Sequence, residues 1–144
     1  MMIRIREAAV AGSFYPADPG ELQSMVHRML DAAAPGAGPP PKALIVPHAG
    51  YVYSGPVAAA AYSRLRPHRA RYRRVVLLGP GHCVSFRGLA ASSAGIFRKP
   101  LGDVPVDLAA LDALSHDAVS GIDAAHRPEH SLEVQLTFLQ SVLA

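Results

Sequence analysis

The sequence is poor in the features that mark exported or membrane-spanning chains. Its single cysteine, Cys83, excludes an intrachain disulfide among the 144 residues. No run of 18 apolar residues occurs, so we expect no transmembrane helix and no membrane partner. The N-terminal stretch reaches Arg4 and Glu7 too early to supply the apolar region of a signal peptide. These absences predict a cytoplasmic protein.

Nucleotide-binding and nucleic-acid-binding patterns are also missing. Neither a Walker loop nor a G-x-G-x-x-G after a strand is present. The net charge of +3 comes mostly from residues 64–74, which contain six arginines. Such a segment is either a patch for an acidic partner or a solvated connector. No zinc finger, RRM or helix-turn-helix pattern accompanies it, so we interpret it as a connector and expect no nucleic acid partner.

The residues that are present are typical of one globular α/β domain, with 50% hydrophobic and 17% charged side chains. Short apolar runs at residues 43–46 and 75–78 predict buried strands. Residues 3–10, 88–97 and 104–106 favour further strands. Because these runs alternate with helical segments, we predict a layered α/β/α fold with a mixed, partly parallel sheet.

Helix signals occur at four places. The first helix has Asp18 as its N-cap and Pro19 at its first position, followed by apolar residues at helical spacing. A Pro/Gly-rich connector, residues 35–41, follows it. The other predicted starts are Pro56, with Ser54 or Gly55 as its cap; Asp107, for a helix through about Ser115; and Pro128 or Ser131, for a helix to the end.

Two histidines directly follow the two most apolar predicted strands. His48 comes after residues 43–46, and His82 comes after residues 75–78. Ligands of α/β folds gather at the carboxyl ends of strands, so both side chains are expected at one edge of the sheet. Imidazole binds iron, copper, zinc and nickel, and the pattern does not choose among them. Each histidine taken alone is as well explained as an ordinary loop residue.

A third histidine lies in the segment 126–135. It matches H-x-x-E-H, a zinc signature of metalloproteases, but Pro128 interrupts the helix that this signature needs. We therefore interpret the match with His126 as accidental. His130 and Glu133 are three residues apart, which places them on one helical face, where Glu133 can orient the imidazole. A local ion pair at the helix start explains the pair equally well. We interpret Cys83 as a small buried residue and not as a catalytic thiol.

Five segments in order resemble the Memo family, known in bacteria and archaea as AmmeMemoRadiSam system protein B. The segments are GSFYPAD, VPHAGYVYSGPVAA, LLGPGHCV, KPLGDVPVD and EHSLEVQLTFL. The family fold is similar to that of class III extradiol dioxygenases, which are non-haem iron enzymes. The resemblance implies that His48 and His82 bind iron or copper. It also implies that His130 lies beside them as a further ligand or as an acid/base group. Glu133, which the helical spacing places beside His130, is a catalytic candidate with it.

The same resemblance implies a binding pocket. Phe14 and Tyr53 match aromatic positions at its mouth, and their neighbours Tyr15 and Tyr51 are candidate binding residues with them. The implied ligand is a peptide or a small molecule. Two functions follow. One is a metal-dependent redox or dioxygenase-like activity on an unassigned substrate, and the alternative is a non-catalytic peptide- or phosphopeptide-binding module that reuses the cleft.

Members of the family are longer than this chain. The resemblance therefore places residues 1–144 as the N-terminal part of a single Memo-like α/β domain, with the connector 35–41 inside it. In the family the C-terminal part supplies the remaining metal ligand and further strands. We accordingly expect an incomplete sheet and metal site, little catalysis by the chain alone, and either a homo-oligomer or a complementing C-terminal segment as partner.

Overall fold

The computed structural model describes residues 3–34, 36, 38–114 and 119–143. Strands and helices both occur along the chain, but they do not alternate regularly as the sequence pattern predicts, since three helical elements follow β1 and three strands follow them. The strands are β1 (Ile5–Arg6), β2 (Leu89–Ala91), β3 (Ile96–Phe97), β4 (Val104–Pro105) and β5 (Val119–Gly121). The helices are α1 (Pro19–Ala32), α2 (Tyr51–Tyr62), α3 (Leu108–Ala113), α4 (Asp123–His126) and α5 (Glu133–Leu143), with a 3₁₀ helix at Ser63–Arg71. Ser115 and the connector residues 35 and 37 lie outside the described residues.

The strands form two small sheets. In the first, the order is β1-β3-β4, with β1 parallel to β3 and β4 antiparallel to it. In the second, β2 and β5 pair in parallel. This confirms a mixed α/β fold with partly parallel strands, although the sheets are smaller than predicted. None of the helices in the described ranges is long and apolar enough to cross a membrane.

The prediction of strands at the two most apolar runs is wrong. Residues 43–46 and 75–78 belong to no helix or strand of the described chain. The side chains of Ile45, Val76 and Leu78 are exposed. A strand requires a hydrogen-bonded neighbour as well as apolar side chains, and no described segment pairs with either run.

Helices α1, α2 and α5 pack around the main core. The apolar face predicted for α1 is confirmed, since Leu22, Val26 and Leu30 are buried. The Asp18 side chain accepts a hydrogen bond from the amide of Glu21 at 2.8 Å, which confirms the predicted cap. Helix α2 approaches α1 closely at Gly55, where a Cβ atom would lie 2.6 Å from the sulfur of a methionine in α1.

Helix α2 begins at Tyr51, five residues before the predicted start at Pro56. A long-range hydrogen bond anchors this earlier start, because the Tyr51 amide donates to the Phe14 carbonyl at 2.8 Å. Pro56 lies inside the helix, where it removes one helical hydrogen bond. The last helix also begins later than predicted, at Glu133, so His130 lies in the turn before α5.

The arginine-rich segment is more ordered than a connector. Residues 64–71 of the segment belong to the 3₁₀ helix, and the side chain of Leu65 in this helix is buried. One of its arginines, Arg66, lies 2.9 Å from Asp31 at the end of α1. The segment therefore packs against the helical core through one face.

Candidate metal centre

Three imidazoles from distant parts of the chain meet in the structure. The ring centroids of His48 and His82 are 5.3 Å apart, those of His82 and His130 are 4.6 Å apart, and those of His48 and His130 are 5.8 Å apart. One nitrogen of each ring can be chosen so that all three lie within 4.8 Å of one another. His48 and His130 are partly buried and His82 is more exposed. The structure thus brings together the three histidines that the sequence singled out.

Close backbone packing places the His82 loop. A Cβ atom on Gly79 would lie 2.7 Å from the hydroxyl of Ser131, so only glycine allows this approach. The Ser131 hydroxyl donates a hydrogen bond to the carbonyl of Pro80 at 2.9 Å. These contacts hold the loop before His82 against the turn that carries His130.

The carboxylate of Glu129 lies between His82 and His130. It accepts hydrogen bonds from the backbone amides of His82, His130 and Ser131 at 2.6, 2.8 and 2.8 Å. Its Oε1 also lies 2.9 Å from Nδ1 of His82. Burial raises the pKa of Glu129, but the hydrogen bonds from His82, Ser131 and His130 outweigh it and lower the pKa to about 2. Glu129 is therefore a fixed negative charge beside the imidazoles.

The surroundings of His130 lower the pKa of its imidazole. Burial lowers its pKa, and the attraction of Glu129 opposes this, while His82 and His48 lower it further. Metal ligation requires the neutral form, so these surroundings favour it. The ring of His130 also lies close to that of Phe14, with the centroids 4.5 Å apart.

A cavity of about 630 Å³ opens beside the histidines. Its volume falls in the range of small-molecule sites. The residues that line it are Ser13, Phe14, Pro47, His48, Ala49, Gly50, Val52, Tyr53 and His130. Two of the predicted aromatic residues, Phe14 and Tyr53, therefore lie at the cavity.

The other two predicted aromatic residues lie in the core. Tyr51 and Tyr53 are two positions apart in α2, about 200° around the helix, so they point in opposite directions. Tyr51 is 2% exposed and Tyr53 is 84% exposed. The Tyr51 hydroxyl donates to the carbonyl of Val134 at 2.6 Å, and the Tyr15 hydroxyl donates to Glu133. The structure thus gives Tyr15 and Tyr51 packing roles away from the cavity.

Glu133 likewise lies in the core and does not orient an imidazole. Its fully buried carboxylate accepts a hydrogen bond from Arg6 and lies 3.6 Å from Nζ of Lys99. Burial raises the pKa of Glu133, but the charge of Lys99 and the hydrogen bonds it accepts keep the pKa below its usual value. Its cationic partners place Glu133 in a buried charge cluster that joins α5 to the first sheet.

Two further residues of the sequence analysis lie outside the cluster. His126 belongs to α4, separate from α5, and its Nε2 lies 2.9 Å from the carbonyl of Ala90. This supports the interpretation of the H-x-x-E-H match as accidental. Cys83 is exposed, contrary to the prediction of a buried residue, because the loop that follows residues 75–78 is not covered.

The sequence analysis missed Glu129. The predicted last helix included His130, so Glu133, three positions later, was expected on the same helical face. Because the helix begins only at Glu133, the residue that contacts His130 and His82 is instead its immediate neighbour. The available signal was the acidic residue directly before the histidine in EHSLE.

The fold and the site define an α/β protein with a three-histidine candidate metal centre. The Memo-like protein family model matches residues 6–144, so the chain belongs to this family. A MEMO1 family protein of Aquifex aeolicus is 40% identical over 139 residues, which cover 96% of this chain and 50% of the relative. MEMO1 family proteins of Methanocaldococcus jannaschii and Aeropyrum pernix are 41% and 44% identical over 96% of this chain, and over 52% and 53% of their own lengths. The chain thus spans about half the length of the curated relatives it matches.

Proposed function

We propose that the chain binds a non-haem metal ion, iron or copper, at His48 and His82. The observation that carries the proposal is the convergence of three imidazoles whose nitrogens lie within 4.8 Å of one another. Imidazole nitrogens suit both metals. The choice of iron or copper, and of redox or dioxygenase-like chemistry, rests on the resemblance to the Memo family. Either metal would supply redox chemistry that side chains alone lack.

We assign His130 the role of an acid/base group in this proposal. Its ring lies between His82 and Phe14, so it faces both the histidine cluster and the cavity. A neutral imidazole can accept a proton from a molecule in the cavity. The titration below separates this role from that of a third ligand.

A titration of the chain with Fe²⁺ under anaerobic conditions, and with Cu²⁺ in air, tests the proposal. In the double variant His48→Ala/His82→Ala, the metal affinity should fall by more than roughly 100-fold. A loss of that size exceeds what residues that do not touch the metal typically contribute. His130→Ala should retain the affinity to within about tenfold if the residue is an acid/base group. A loss as large as that of the double variant would make it a ligand.

The matched control is His27→Ala, which removes an exposed imidazole of α1 far along the chain from the cluster. This variant should bind the metal as the unchanged chain does. The assignment of the site is wrong if the double variant still binds one iron or copper ion per chain with unchanged affinity.

A peptide-binding module is the second candidate, and the cavity supports it. Phe14 and the exposed Tyr53 supply aromatic surface to a peptide. No arginine or lysine occurs among the described residues that line the cavity, so an unphosphorylated peptide fits it better than a phosphopeptide. Peptide binding that survives in the His48→Ala/His82→Ala variant and is lost in Tyr53→Ala would favour this function.

We also propose a polypeptide partner for the exposed apolar runs. Ile45, Val76 and Leu78 lie on the two segments that lead to His48 and His82. The relatives are about twice as long as the matched region, so they contain further chain that can cover these segments. A polypeptide spanning the unmatched half of the Aquifex aeolicus relative should form a one-to-one complex with the chain in native mass spectrometry. A homodimer that excludes this polypeptide would overturn the proposal.

A further inference from the structure

We propose that Glu129 is a positioning residue that binds the His82 ring through Nδ1 and leaves Nε2 as the metal-binding atom. The inference rests on the proposed function, because it assigns the atom by which one proposed ligand acts. Glu129 lies in the EHSLE segment, but no role was predicted for it and the three-histidine cluster does not include it. Glu129 itself touches no metal in this arrangement.

The carboxylate contacts His82 at two points. Its Oε2 accepts a hydrogen bond from the His82 amide at 2.6 Å, and its Oε1 lies 2.9 Å from Nδ1 of the same residue. One contact fixes the backbone and the other fixes the ring. The side chain of His82 is 40% exposed. Without the contact to Glu129, its ring could therefore adopt several rotamers.

Glu129 is in turn fixed by the turn before α5. Its side chain is 7% exposed, and Oε1 accepts hydrogen bonds from the amides of His130 and Ser131 at 2.8 Å each. With the two contacts to His82, the carboxylate makes four hydrogen bonds, about the number that its oxygens accept. Three of these bonds fall on Oε1 and one on Oε2, so the oxygen nearest the imidazole of His82 is fully used within the protein, which is why we assign Glu129 to orientation and not to ligation.

The contact determines which tautomer of His82 is present. A carboxylate accepts hydrogen bonds, so a neutral His82 must carry its proton on Nδ1. The unprotonated Nε2 is then the atom with a free lone pair. Carboxylates that hold metal-binding histidines in this way commonly contribute 10- to 100-fold, as an order of magnitude, to metal affinity.

The histidine tautomer can be measured without any metal. In ¹⁵N NMR spectra recorded at a pH where free imidazole is neutral, His82 of the unchanged chain should carry its proton on Nδ1. Glu129→Ala should give a mixture of tautomers and lower the Fe²⁺ affinity by about 10- to 100-fold. Glu129→Gln keeps an acceptor at Oε1, so it should preserve the tautomer and part of the affinity. If the alanine variant does not fold, the spectrum of the unchanged chain still decides, because a proton on Nε2 of His82 would overturn the inference.

Ser131→Ala is the matched control. It removes the hydrogen bond to Pro80 that anchors the same loop, but the Ser131 hydroxyl does not contact the imidazole. The inference predicts that this variant keeps the Nδ1–H tautomer and loses less affinity than Glu129→Ala. An unchanged tautomer in Glu129→Ala, or equal losses of affinity in the two variants, would overturn it. Failure of the unchanged chain to bind iron or copper would instead overturn the proposed function.

Discussion

Replacing Glu133 by glutamine should destabilise the protein strongly while removing no atom of the histidine cluster. Glu133 is fully buried, and the side chains of Arg6 and Lys99 beside it are 6% and 0% exposed. Below pH 7, where Lys99 is protonated, the substitution neutralises the carboxylate that, among the described residues, pairs with both buried cations. Removing one partner of a buried ion pair typically costs about 3–5 kcal/mol, because the remaining charge stays in a medium of low dielectric constant.

Glutamine recovers only some of the lost contacts by reorienting its amide. One carboxylate oxygen accepts from Arg6 and from the amide of Ala9, and the other accepts from the hydroxyl of Tyr15 and the amide of Val10. An amide nitrogen at the first position faces the donors of Arg6 and Ala9, and at the second position it faces the amide of Val10, although the Tyr15 hydroxyl can rotate to accept one of its hydrogens. We therefore expect the loss to fall within this range, at about 3–5 kcal/mol of the free energy of unfolding.

Urea unfolding followed by far-UV circular dichroism measures this loss. With a slope of about 2 kcal/mol per molar urea, the midpoint should fall by about 2 M. Glu7→Gln is the matched control, since Glu7 is an exposed partner of Arg98 and its loss should cost less than about 1 kcal/mol. At pH 6, below the pKa of about 7 that burial gives Lys99, adding Lys99→Met to the Glu133 variant should restore part of the stability, because it removes one of the two cations that lose their carboxylate.

A Glu133→Gln variant within about 1 kcal/mol of the unchanged chain would refute this reasoning. It would mean that Arg6 and Lys99 reach water or lose their charge at no cost. A second contrary result would be a double variant with Lys99→Met that is less stable than Glu133→Gln alone.

Two further predictions concern Lys99 and Gly79. Burial lowers the pKa of Lys99 to about 7 from 10.5, against the attraction of Glu133, so the folded state releases this proton at lower pH than the unfolded state. The free energy of unfolding, measured as the difference from the Lys99→Met variant, should therefore rise between pH 7 and pH 10.5. Urea titrations that show a flat or falling difference over this pH range would contradict the lowered pKa of Lys99. Gly79→Ala should cost about 1–3 kcal/mol and weaken metal binding, since its Cβ would meet Ser131. Gly121→Ala has open space and serves as control, so equal losses in urea unfolding would show that packing at residue 79 is not the cause.

Local rules sufficed where the determining interactions lie within a few residues. The start of α1 follows from Asp18 and its own first turn, and the buried face of α1 follows from helical spacing. The separation of His126 from the last helix follows from Pro128, which cannot continue one. The choice of His48, His82 and His130 came from strand ends and from motif resemblance, and the structure brings these three together.

Tertiary contacts decided the features for which partners lie far along the chain. The bond from the Tyr51 amide to the Phe14 carbonyl sets where α2 begins, and so decides which tyrosine faces the cavity. The apolar run at residues 43–46 predicts burial, but only a neighbouring strand could make it part of a sheet.

The roles of the two glutamates show the same division. Glu129 and Glu133 are four residues apart and chemically identical, yet one contacts the histidines and the other neutralises Arg6 and Lys99. The sequence by itself determined the side chains available for a site and the local helix signals. The surroundings of each carboxylate, and therefore its function, depend on segments more than 40 residues away that only the folded chain brings into contact.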